Sequence, residues 1–252
     1  VDAGSVKSTD ATFEFTNLGD LDRELVYVLP VEVHTADVDL VSSASKYYFV
    51  FRAGALINVV ANMSRNYLTV KWSDYNEVNN MKKITMEALI YPREFRDPIS
   101  TVMGIEGKFL MRIGDAGFPN NQIQIATNRG NFPDGDSNKG LQAKMWQHVA
   151  LTVDCENNEY KIYVNGRLQS EGYHSLGAIN IQGNGSDRDF LIGKSYNDDR
   201  WLEGDMSEVR VWKVVRTKEE IASHIYNVDP QTPGLVGYWK MDDNTSPYKV
   251  VD

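Results

Sequence analysis

Apolar and polar residues alternate most regularly along residues 146–166, WQHVALTVDCENNEYKIYVNG. Every second position on both arms of this segment is apolar, namely Val149, Leu151, Val153, Tyr160, Ile162 and Val164. Successive side chains leave a β-strand on opposite faces, so the alternation predicts two half-buried antiparallel strands. The polar turn between them, residues 155–158, contains asparagines, which tolerate left-handed dihedral angles. The pattern therefore predicts a β-hairpin.

The chain after residue 56 repeats short strand patterns and contains a single helix signal. Segments with alternating or clustered apolar residues recur up to a final strand at residues 234–244. A helix is expected to begin at Thr217, because Thr217 and Glu220 have the spacing of a capping box and the apolar Ile221 follows. Many short strands with one brief helix predict an all-β fold, a jelly-roll sandwich of antiparallel strands.

The first 53 residues carry their own block of strand patterns. Residues 46–52, KYYFVFR, are apolar on both faces and predict an inner strand. Pro30 lacks an N–H group and predicts an edge position or a bulge. The small residues at 53–55 mark the expected junction. We therefore predict a small N-terminal β domain at residues 1–53 and the jelly-roll domain at residues 54–252.

Composition and charge narrow the classes of ligand. The chain has 252 residues and a net charge of -9. Nucleic-acid recognition depends on concentrated Lys and Arg, so this charge argues against a nucleic-acid partner. No apolar run approaches the roughly 20 residues that span a bilayer, so no transmembrane segment is predicted. Cys155 is the only cysteine, which excludes an intrachain disulfide and a cysteine-based metal cluster.

The order of several motifs resembles that of a known superfamily. The motifs are WQHVALTVD, YKIYVNGRL, FLIGK, GDMSEVRVWKVVRTKEEI and GLVGYWKMDD. They resemble the bacterial form of the laminin-G-like, concanavalin-A-like lectin/glucanase fold, over roughly residues 56–252. The first block, with LDRELVYVLPVEVHT and KYYFVFR, is similar to a domain of unknown function in Bacteroidetes surface lipoproteins. The resemblance implies a place in the cell envelope, on the outer-membrane surface or secreted, and glycan capture within a glycan-utilisation system.

One motif raises the alternative of a glycoside hydrolase. Glu203, Asp205 and Glu208 have the spacing E-x-D-x-x-E of jelly-roll endoglucanases. In those enzymes one Glu is the nucleophile and the other the acid/base, and retaining chemistry places the pair about 5 Å apart. Gly204 stands where those enzymes place a bulky apolar residue, and the segment also fits the laminin-G pattern. A structural role is therefore favoured over catalysis.

A second motif raises the question of structural calcium. Asp134, Asp136 and Asn138 place oxygen-bearing side chains at alternate positions, as flexible calcium loops do. Lys139 stands where an EF-hand requires its turn glycine, so an EF-hand is excluded. A solvated turn rich in Asp, Asn and Gly is the favoured alternative.

A sugar site needs an aromatic face for the ring and amides or carboxylates for the hydroxyl groups. One loop supplies Tyr196, Asn197, Asp198, Arg200 and Trp201, and a second segment supplies Phe118, Asn120, Asn121, Arg129 and Phe132. A third group consists of Trp72, Tyr75 and Asn76. The remaining tryptophans lie in strand motifs and are expected in the core, namely Trp146, Trp212 and Trp239.

The predicted function is non-catalytic binding of an oligosaccharide or polysaccharide at the cell surface. Loops at one end of the sandwich would form the site, assisted by structural calcium. A protein-interaction or spacer module, which docks other envelope proteins, is the first alternative. A glycoside hydrolase that uses Glu203 and Glu208 is the second.

Overall fold

The structure of the protein is a computed structural model that describes residues 25–34, 45–52, 59–96, 98–185, 188–195 and 200–242. The chain divides into two compact units, Val1–Leu56 and Ile57–Asp252. In the first unit, β1 (Val26–Glu32) and β2 (Lys46–Arg52) pair in an antiparallel sheet. In the described part of this unit β1 is the only strand paired with β2, so the inner position predicted for β2 is not seen there.

The second unit consists of short strands and one short α-helix. Its elements in chain order are β3 (Ala61–Asn62), β4 (Leu68–Thr69), β5 (Lys83–Pro92), β6 (Ser100–Ile105), β7 (Phe109–Asp115), β8 (Phe118–Thr127), β9 (Gly130–Phe132), β10 (Gln147–Asp154), β11 (Glu159–Val164), β12 (Arg167–Tyr173), β13 (Leu191–Ile192), β14 (Gly204–Trp212), α1 (Lys218–Ser223) and β15 (Leu235–Trp239). Two 3-10 helical turns, Tyr75–Glu77 and Ser137–Lys139, lie in the connections. Within the described residues, no helix combines the length and the apolarity that crossing a bilayer requires.

The strands of this unit form two antiparallel sheets. The seven-stranded sheet has the order β12-β11-β10-β5-β14-β15, and β3 also pairs with β14. The six-stranded sheet has the order β4-β13-β6-β7-β8-β9. The predicted hairpin is formed by β10 and β11, in which Val149 pairs with Val164 and Val153 with Tyr160. The predicted all-β, antiparallel jelly-roll sandwich is confirmed.

The inward faces of the two sheets enclose the hydrophobic core. Alternate residues of β5 (Ile84, Met86, Ile90) and of β7 (Met111, Ile113) belong to this core and are fully buried. Burying a side chain of this size stabilises the fold by about 1.5–3 kcal/mol. The residues between them point outward, because side chains alternate along a strand. These outward residues decide what each outer face can bind.

Helix α1 packs on the outer face of the seven-stranded sheet. The Thr217 hydroxyl accepts a hydrogen bond from the Glu220 amide at 3.2 Å, and the Glu220 carboxylate accepts one from the Thr217 amide at 2.7 Å. The capping box predicted from the sequence is therefore confirmed. Ile221 is fully buried in a small apolar cluster with Ala150 and Tyr163 of the sheet.

A β-bulge in β14 changes which of its residues point outward. Ser207 pairs with Leu89, and Arg210 pairs with Glu87, so β14 advances by one residue more than β5. Glu208 lies in this bulge with a positive φ of 53°. An extra residue in one strand moves the following side chains to the other face. Outward residues are therefore odd-numbered before the bulge and even-numbered after it.

Candidate functional site

The outer face of the six-stranded sheet carries a row of polar residues across three neighbouring strands. Thr101 of β6 pairs with Arg112 of β7, and Arg112 pairs with Gln124 of β8. The flanking residues Met111 and Ile113 belong to the core, which turns Arg112 outward. The three side chains therefore lie side by side, about one strand spacing of 4.8 Å apart. We call them the polar row.

Hydrogen bonds and charges hold Arg112 in a fixed orientation. Its Nε and Nη2 atoms donate to Gln124 Oε1 at 3.0 and 2.5 Å, and Nη2 also donates to the Asp115 carboxylate. Burial lowers the pKa of the Arg112 guanidinium, Asp115 and Glu106 raise it, and Arg200 lowers it. A guanidinium stays charged in proteins. Arg112 is thus a fixed, charged and planar hydrogen-bond donor.

An ion pair extends the polar row at one side. Arg200 Nη1 lies 3.2 Å from Glu106 Oε2, and only 20% and 17% of the two side chains are exposed. Both groups act on the pKa of Arg112, so they lie within electrostatic reach of it. We use the name outer polar cluster for this set: Glu106, Arg112, Asp115, Gln124 and Arg200.

The hydrogen-bonding capacity of this face is not saturated. Thr101 is fully buried, and its Oγ1 atom has no hydrogen-bond partner among the described residues. Leaving a buried polar atom without a partner costs about 1–3 kcal/mol. A hydroxyl group of a ligand or a water molecule at this position would remove that cost. Glu106, Asp115 and Arg200, the partly exposed members of the cluster, keep 17%, 26% and 20% of their side chains exposed.

An aromatic pair lies beside β4 and β13, at the edge of the same sheet. The rings of Tyr67 and Trp201 lie 5.6 Å apart, and Lys194 Nζ lies 4.8 and 4.4 Å from their centroids. Trp201 is 9% exposed, whereas Tyr67 is 46% exposed. The sequence analysis predicted Trp201 as a ligand residue and missed Tyr67. Tyr67 is one residue before an edge strand, a position that the alternation in YLTVKW could have indicated.

The structure brings some of the other predicted ligand residues together and separates others. Arg200 belongs to the outer polar cluster, and Phe118 pairs with Asp115 of that cluster. Asn120 follows Phe118 in β8. Arg129 lies beyond the other end of this ten-residue strand, where its carbonyl oxygen is 3.1 Å from His174 Nε2. Strands rise about 3.4 Å per residue, so Arg129 cannot share one monosaccharide with Phe118.

Several further predicted residues lie in the core or outside the described residues. Tyr196, Asn197 and Asp198 lie outside the described residues. Trp72, from the third predicted group, is buried, and its indole N–H donates to the carbonyl oxygen of Ile181 at 2.8 Å. Its ring packs edge-on against other buried rings of the core, so it offers no face to a ligand.

The residues predicted to bind calcium form a locally hydrogen-bonded turn. Asp136 caps the turn Ser137–Lys139 and accepts hydrogen bonds from the backbone and side-chain amides of Asn138 at 3.0 and 3.1 Å. The carbonyl oxygen of Asp134 accepts a hydrogen bond from Gln122 at 3.0 Å. In the part of the chain that the structure describes, no three His, Cys, Asp or Glu side chains are grouped so as to hold a metal. Calcium binding here stays a prediction.

The carboxylates of the hydrolase alternative lie in separate ion pairs. Glu203 pairs with Arg96, and Asp205 accepts two hydrogen bonds from Arg93, at 2.6 and 2.7 Å. Glu208 lies in the bulge, pairs with an arginine, and accepts a hydrogen bond from the Tyr238 hydroxyl at 2.6 Å. Each carboxylate thus has a structural partner of its own.

The outer face of the seven-stranded sheet contains a fully buried ion network. Glu87 lies at its centre, 3.1 Å from His148 Nε2, 2.7 Å from Arg216 Nη1 and 3.5 Å from Arg210 Nη1. Arg210 also pairs with Glu208 and donates to the carbonyl oxygen of residue 224 at 2.6 Å. We call these five residues the buried ion network. Its members are at most 5% exposed, and helix α1 with its flanking segments covers them.

The protonation states follow from the partners in this network. Burial raises the pKa of Glu87, but the hydrogen bond with His148 and the neighbouring positive charges outweigh it and lower the pKa to about 2. Burial lowers the pKa of His148, and Glu87 only partly opposes this effect. His148 Nδ1 has no hydrogen-bond partner among the described residues. A neutral ring with its proton on Nε2 therefore fits this site, since that proton is shared with Glu87.

One tryptophan departs from its expected place. Trp212 and Trp239 are buried as predicted, at 1% and 6% exposure. The prediction for Trp146 is wrong, because this residue is 37% exposed and its ring lies 5.5 Å from that of Tyr91. Trp146 comes one residue before Gln147, which pairs with the core residue Ile90. Alternation therefore turns Trp146 to the outer face.

Comparison with known proteins agrees with this architecture. A protein of Bacteroides ovatus ATCC 8483, for which carbohydrate binding has been proposed, is 33% identical in sequence with a TM-score of 0.67. The match covers 89% of this chain and 63% of that one, so this chain spans less than two thirds of its relative's length. Domain 4 of AbnA, a GH43 extracellular arabinanase from Geobacillus stearothermophilus solved with arabinotriose, shares the fold at 13% identity and a TM-score of 0.51. That match covers 82% of this chain and 90% of that domain.

A family profile also matches the chain. No curated protein sequence matches it. The Laminin_G_3 family profile, which describes the concanavalin A-like lectin/glucanases superfamily, matches residues 62–222. This match spans more than half of the chain and includes strands of both sheets. The chain therefore belongs to the concanavalin A-like lectin/glucanases superfamily.

Proposed function

We propose that the protein is a non-catalytic carbohydrate-binding module whose main site is the outer polar cluster with Thr101. Membership of a lectin/glucanase superfamily supports this function, as does the proposed role of the Bacteroides ovatus relative. Placement at the cell surface within a glycan-utilisation system is part of the same proposal. It rests on the similarity of the N-terminal block to a domain of Bacteroidetes surface lipoproteins.

The observation that carries the proposal is the unsaturated hydrogen bonding of the polar row. Sugar hydroxyl groups donate and accept hydrogen bonds at the same atom. Thr101 Oγ1 can meet either role. The partly exposed Glu106 carboxylate, which pairs with Arg200, has lone pairs to accept a further hydrogen bond. The neighbouring Arg112 is held rigidly by Gln124 and Asp115, so little side-chain entropy would be lost on binding.

The charges of the cluster indicate the class of saccharide. Two guanidinium groups, of Arg112 and Arg200, face two carboxylates, of Glu106 and Asp115. The charges balance, which favours a neutral saccharide over an acidic one. The half-exposed ring of Tyr67 at the edge of the sheet would supply an apolar surface for a sugar ring.

The sharpest test replaces Thr101 by valine. Thr101→Val removes the buried hydroxyl that has no partner among the described residues and leaves the shape almost unchanged. We expect binding to a neutral oligosaccharide to weaken by about tenfold, which corresponds to roughly 1.4 kcal/mol. Calorimetry of the purified chain, against a panel of neutral and acidic oligosaccharides, measures the affinity. No heat with any member of the panel would refute the proposed function.

A second threonine provides the matched control. Thr127 is the last residue of β8, two strands from β6, and its hydroxyl donates to the carbonyl oxygen of Gly130 at 2.6 Å and accepts from the amide of Arg129 at 3.0 Å. Thr127→Val should lower stability by about 1 kcal/mol and leave the affinity unchanged. Equal losses of affinity in the two variants would show that the polar row is not the site.

The calcium prediction is tested separately by thermal melting. If Asp134 and Asp136 hold a structural ion, calcium should raise the melting temperature relative to EDTA, and Asp136→Asn should remove that difference. Identical melting with calcium and with EDTA would count against the calcium prediction without affecting the polar row.

A further inference from the structure

A second row of residues crosses four strands at one end of the seven-stranded sheet. Asn62 of β3 pairs with Asp205 of β14, and Asp205 pairs with Tyr91 of β5. Trp146 lies opposite Tyr91, one residue before β10 begins, and the two rings are in contact. All four side chains point away from the core. The row lies on the opposite outer face of the sandwich from the outer polar cluster.

The aromatic part of this row is exposed to solvent. The rings of Tyr91 and Trp146 lie 5.5 Å apart with an angle of 49° between their planes. Trp146 is 37% exposed, and neither ring belongs to the hydrophobic core. Farther along the same face, His148 and Leu89 are almost completely buried. The exposed rings thus lie at the solvent-accessible end of this face, whereas His148 and Leu89 farther along it are buried.

A rigid set of hydrogen-bonding groups lies next to these rings. Arg93 donates to both oxygens of Asp205, at 2.6 and 2.7 Å, and to the hydroxyl of Ser64 at 3.0 Å. The side chains of Arg93 and Asp205 remain 41% and 16% exposed. Both hydrogen bonds to Asp205 come from Nη2, and Nη1 donates to Ser64, so two nitrogens of the Arg93 guanidinium are held in place. Asp205 lies one strand away from Tyr91, and Arg93 follows Tyr91 by two residues.

We infer that Tyr91, Trp146, Arg93 and Asp205 form a second saccharide-binding site, which we call the aromatic–ion patch. A pyranose ring would stack on Trp146 and Tyr91, and its hydroxyl groups would bond to the Arg93–Asp205 pair. Aromatic rings beside ordered polar groups provide both the apolar and the polar contacts that a sugar requires. The ligand class rests on the proposed function, whereas the position of the patch does not depend on the polar row.

Two sites on opposite faces have a consequence for long ligands. A soluble polysaccharide carries many copies of the bound unit, so it can occupy both sites of one chain or bridge several chains. Linking two binding events raises the overall affinity without any new contact. The aromatic–ion patch should therefore matter more for a polysaccharide than for a short oligosaccharide.

The test compares Trp146→Ala and Asp205→Asn with Tyr173→Ala. Tyr173 is 80% exposed on β12 and serves as the control for loss of an exposed ring. Affinity electrophoresis and calorimetry use soluble xyloglucan, arabinan, β-glucan and mannan, together with their short oligosaccharides. We expect Trp146→Ala to weaken polysaccharide binding by about tenfold or more, and Asp205→Asn to weaken it less. Thermal melting verifies that each variant is folded.

The outcomes separate this inference from the proposed function. If Trp146→Ala binds polysaccharide as Tyr173→Ala does while Thr101→Val binds less, the aromatic–ion patch is refuted and the main site stands. If Trp146→Ala loses binding and Thr101→Val does not, the patch stands and the proposed main site is refuted. If the unaltered protein binds none of the saccharides, both are refuted.

Discussion

The two outer faces of the sandwich each carry a cluster of charged residues, but the clusters differ in exposure and in the hydrogen bonding of one central group. In the buried ion network, both oxygens of the central Glu87 have partners, and helix α1 and its flanking segments supply backbone carbonyls to the arginines. On the other face, the Thr101 hydroxyl lacks a hydrogen bond among the described residues, and the side chains of Glu106, Asp115 and Arg200 are 17%, 26% and 20% exposed. The first face is covered and the second is partly open.

This difference distinguishes charged residues that stabilise the fold from charged residues that could contact a ligand. A buried carboxylate with a strongly lowered pKa often marks an active site, and Glu87 meets that description. It is nevertheless inaccessible, and its shift is explained by the residues that surround it. The partly exposed charges of the other face, rather than the most strongly shifted carboxylate of the molecule, indicate where a ligand would bind.

The largest expected effect comes from breaking the buried ion network. Glu87→Gln leaves Arg210 and Arg216 buried without their counter-charge. Losing one partner of a buried pair costs about 3–5 kcal/mol, so urea unfolding should shift to much lower concentrations. The control is Glu77→Gln, which breaks a half-exposed pair with Lys213 and should cost less than about 1 kcal/mol. Equal effects would show that the two carboxylates do not differ as described.

Acid should weaken the protein through the same network. The pKa values of Glu87 and His148 lie below their ordinary values of 4.5 and 6.5, so the unfolded chain binds more protons than the folded one. Stability should therefore fall as the pH falls below 6.5, and again between pH 4.5 and about 2. The Glu87 step amounts to about 3 kcal/mol. Urea unfolding as a function of pH measures it, and the step should be missing in Glu87→Gln.

The smallest expected change in stability comes from a substitution on the partly open face, and it contrasts most clearly with that of Glu87→Gln. Thr101→Val removes an unsatisfied buried hydroxyl, so stability should stay the same or rise by up to about 1 kcal/mol. Urea unfolding compares it directly with Glu87→Gln. A loss of more than about 1 kcal/mol would show that the Thr101 hydroxyl has a structural partner, and the contrast between the two faces would then fail.

The sequence predicted the elements that depend on local patterns. The β10–β11 hairpin follows from period-2 alternation, and the start of α1 follows from a capping box whose two hydrogen bonds span three residues. Both signals lie within a short stretch of chain, so no knowledge of the remaining fold is required. The core position of Trp239 was predicted from its strand motif in the same way, and Trp212 is buried too, but on the covered outer face beside Arg216.

The candidate site could be predicted only in part, because strand register creates it. Arg200 was identified from a loop rich in polar and aromatic residues. Thr101, Arg112 and Gln124 each look like an ordinary outward residue of a strand, and only long-range pairing makes them neighbours. The register of β6 against β7 also shifts between Thr101 and Met103, which no local pattern indicates. Trp146 was misplaced because its motif was given more weight than its place in the alternation.

The bulge at Glu208 also makes the two ends of β14 separable for protein engineering. Residues before it contribute Asp205 to an exposed surface, and residues after it contribute Arg210 to the interior of the covered face. Because Met206 and Ser207 are buried, substitutions at Asp205 can redesign the exposed end while the later half of the strand is unchanged. Deleting Glu208 would remove the bulge and restore regular alternation from Ser207 to Val209, so Arg210 would still lie opposite Glu87 but would lose its partner Glu208.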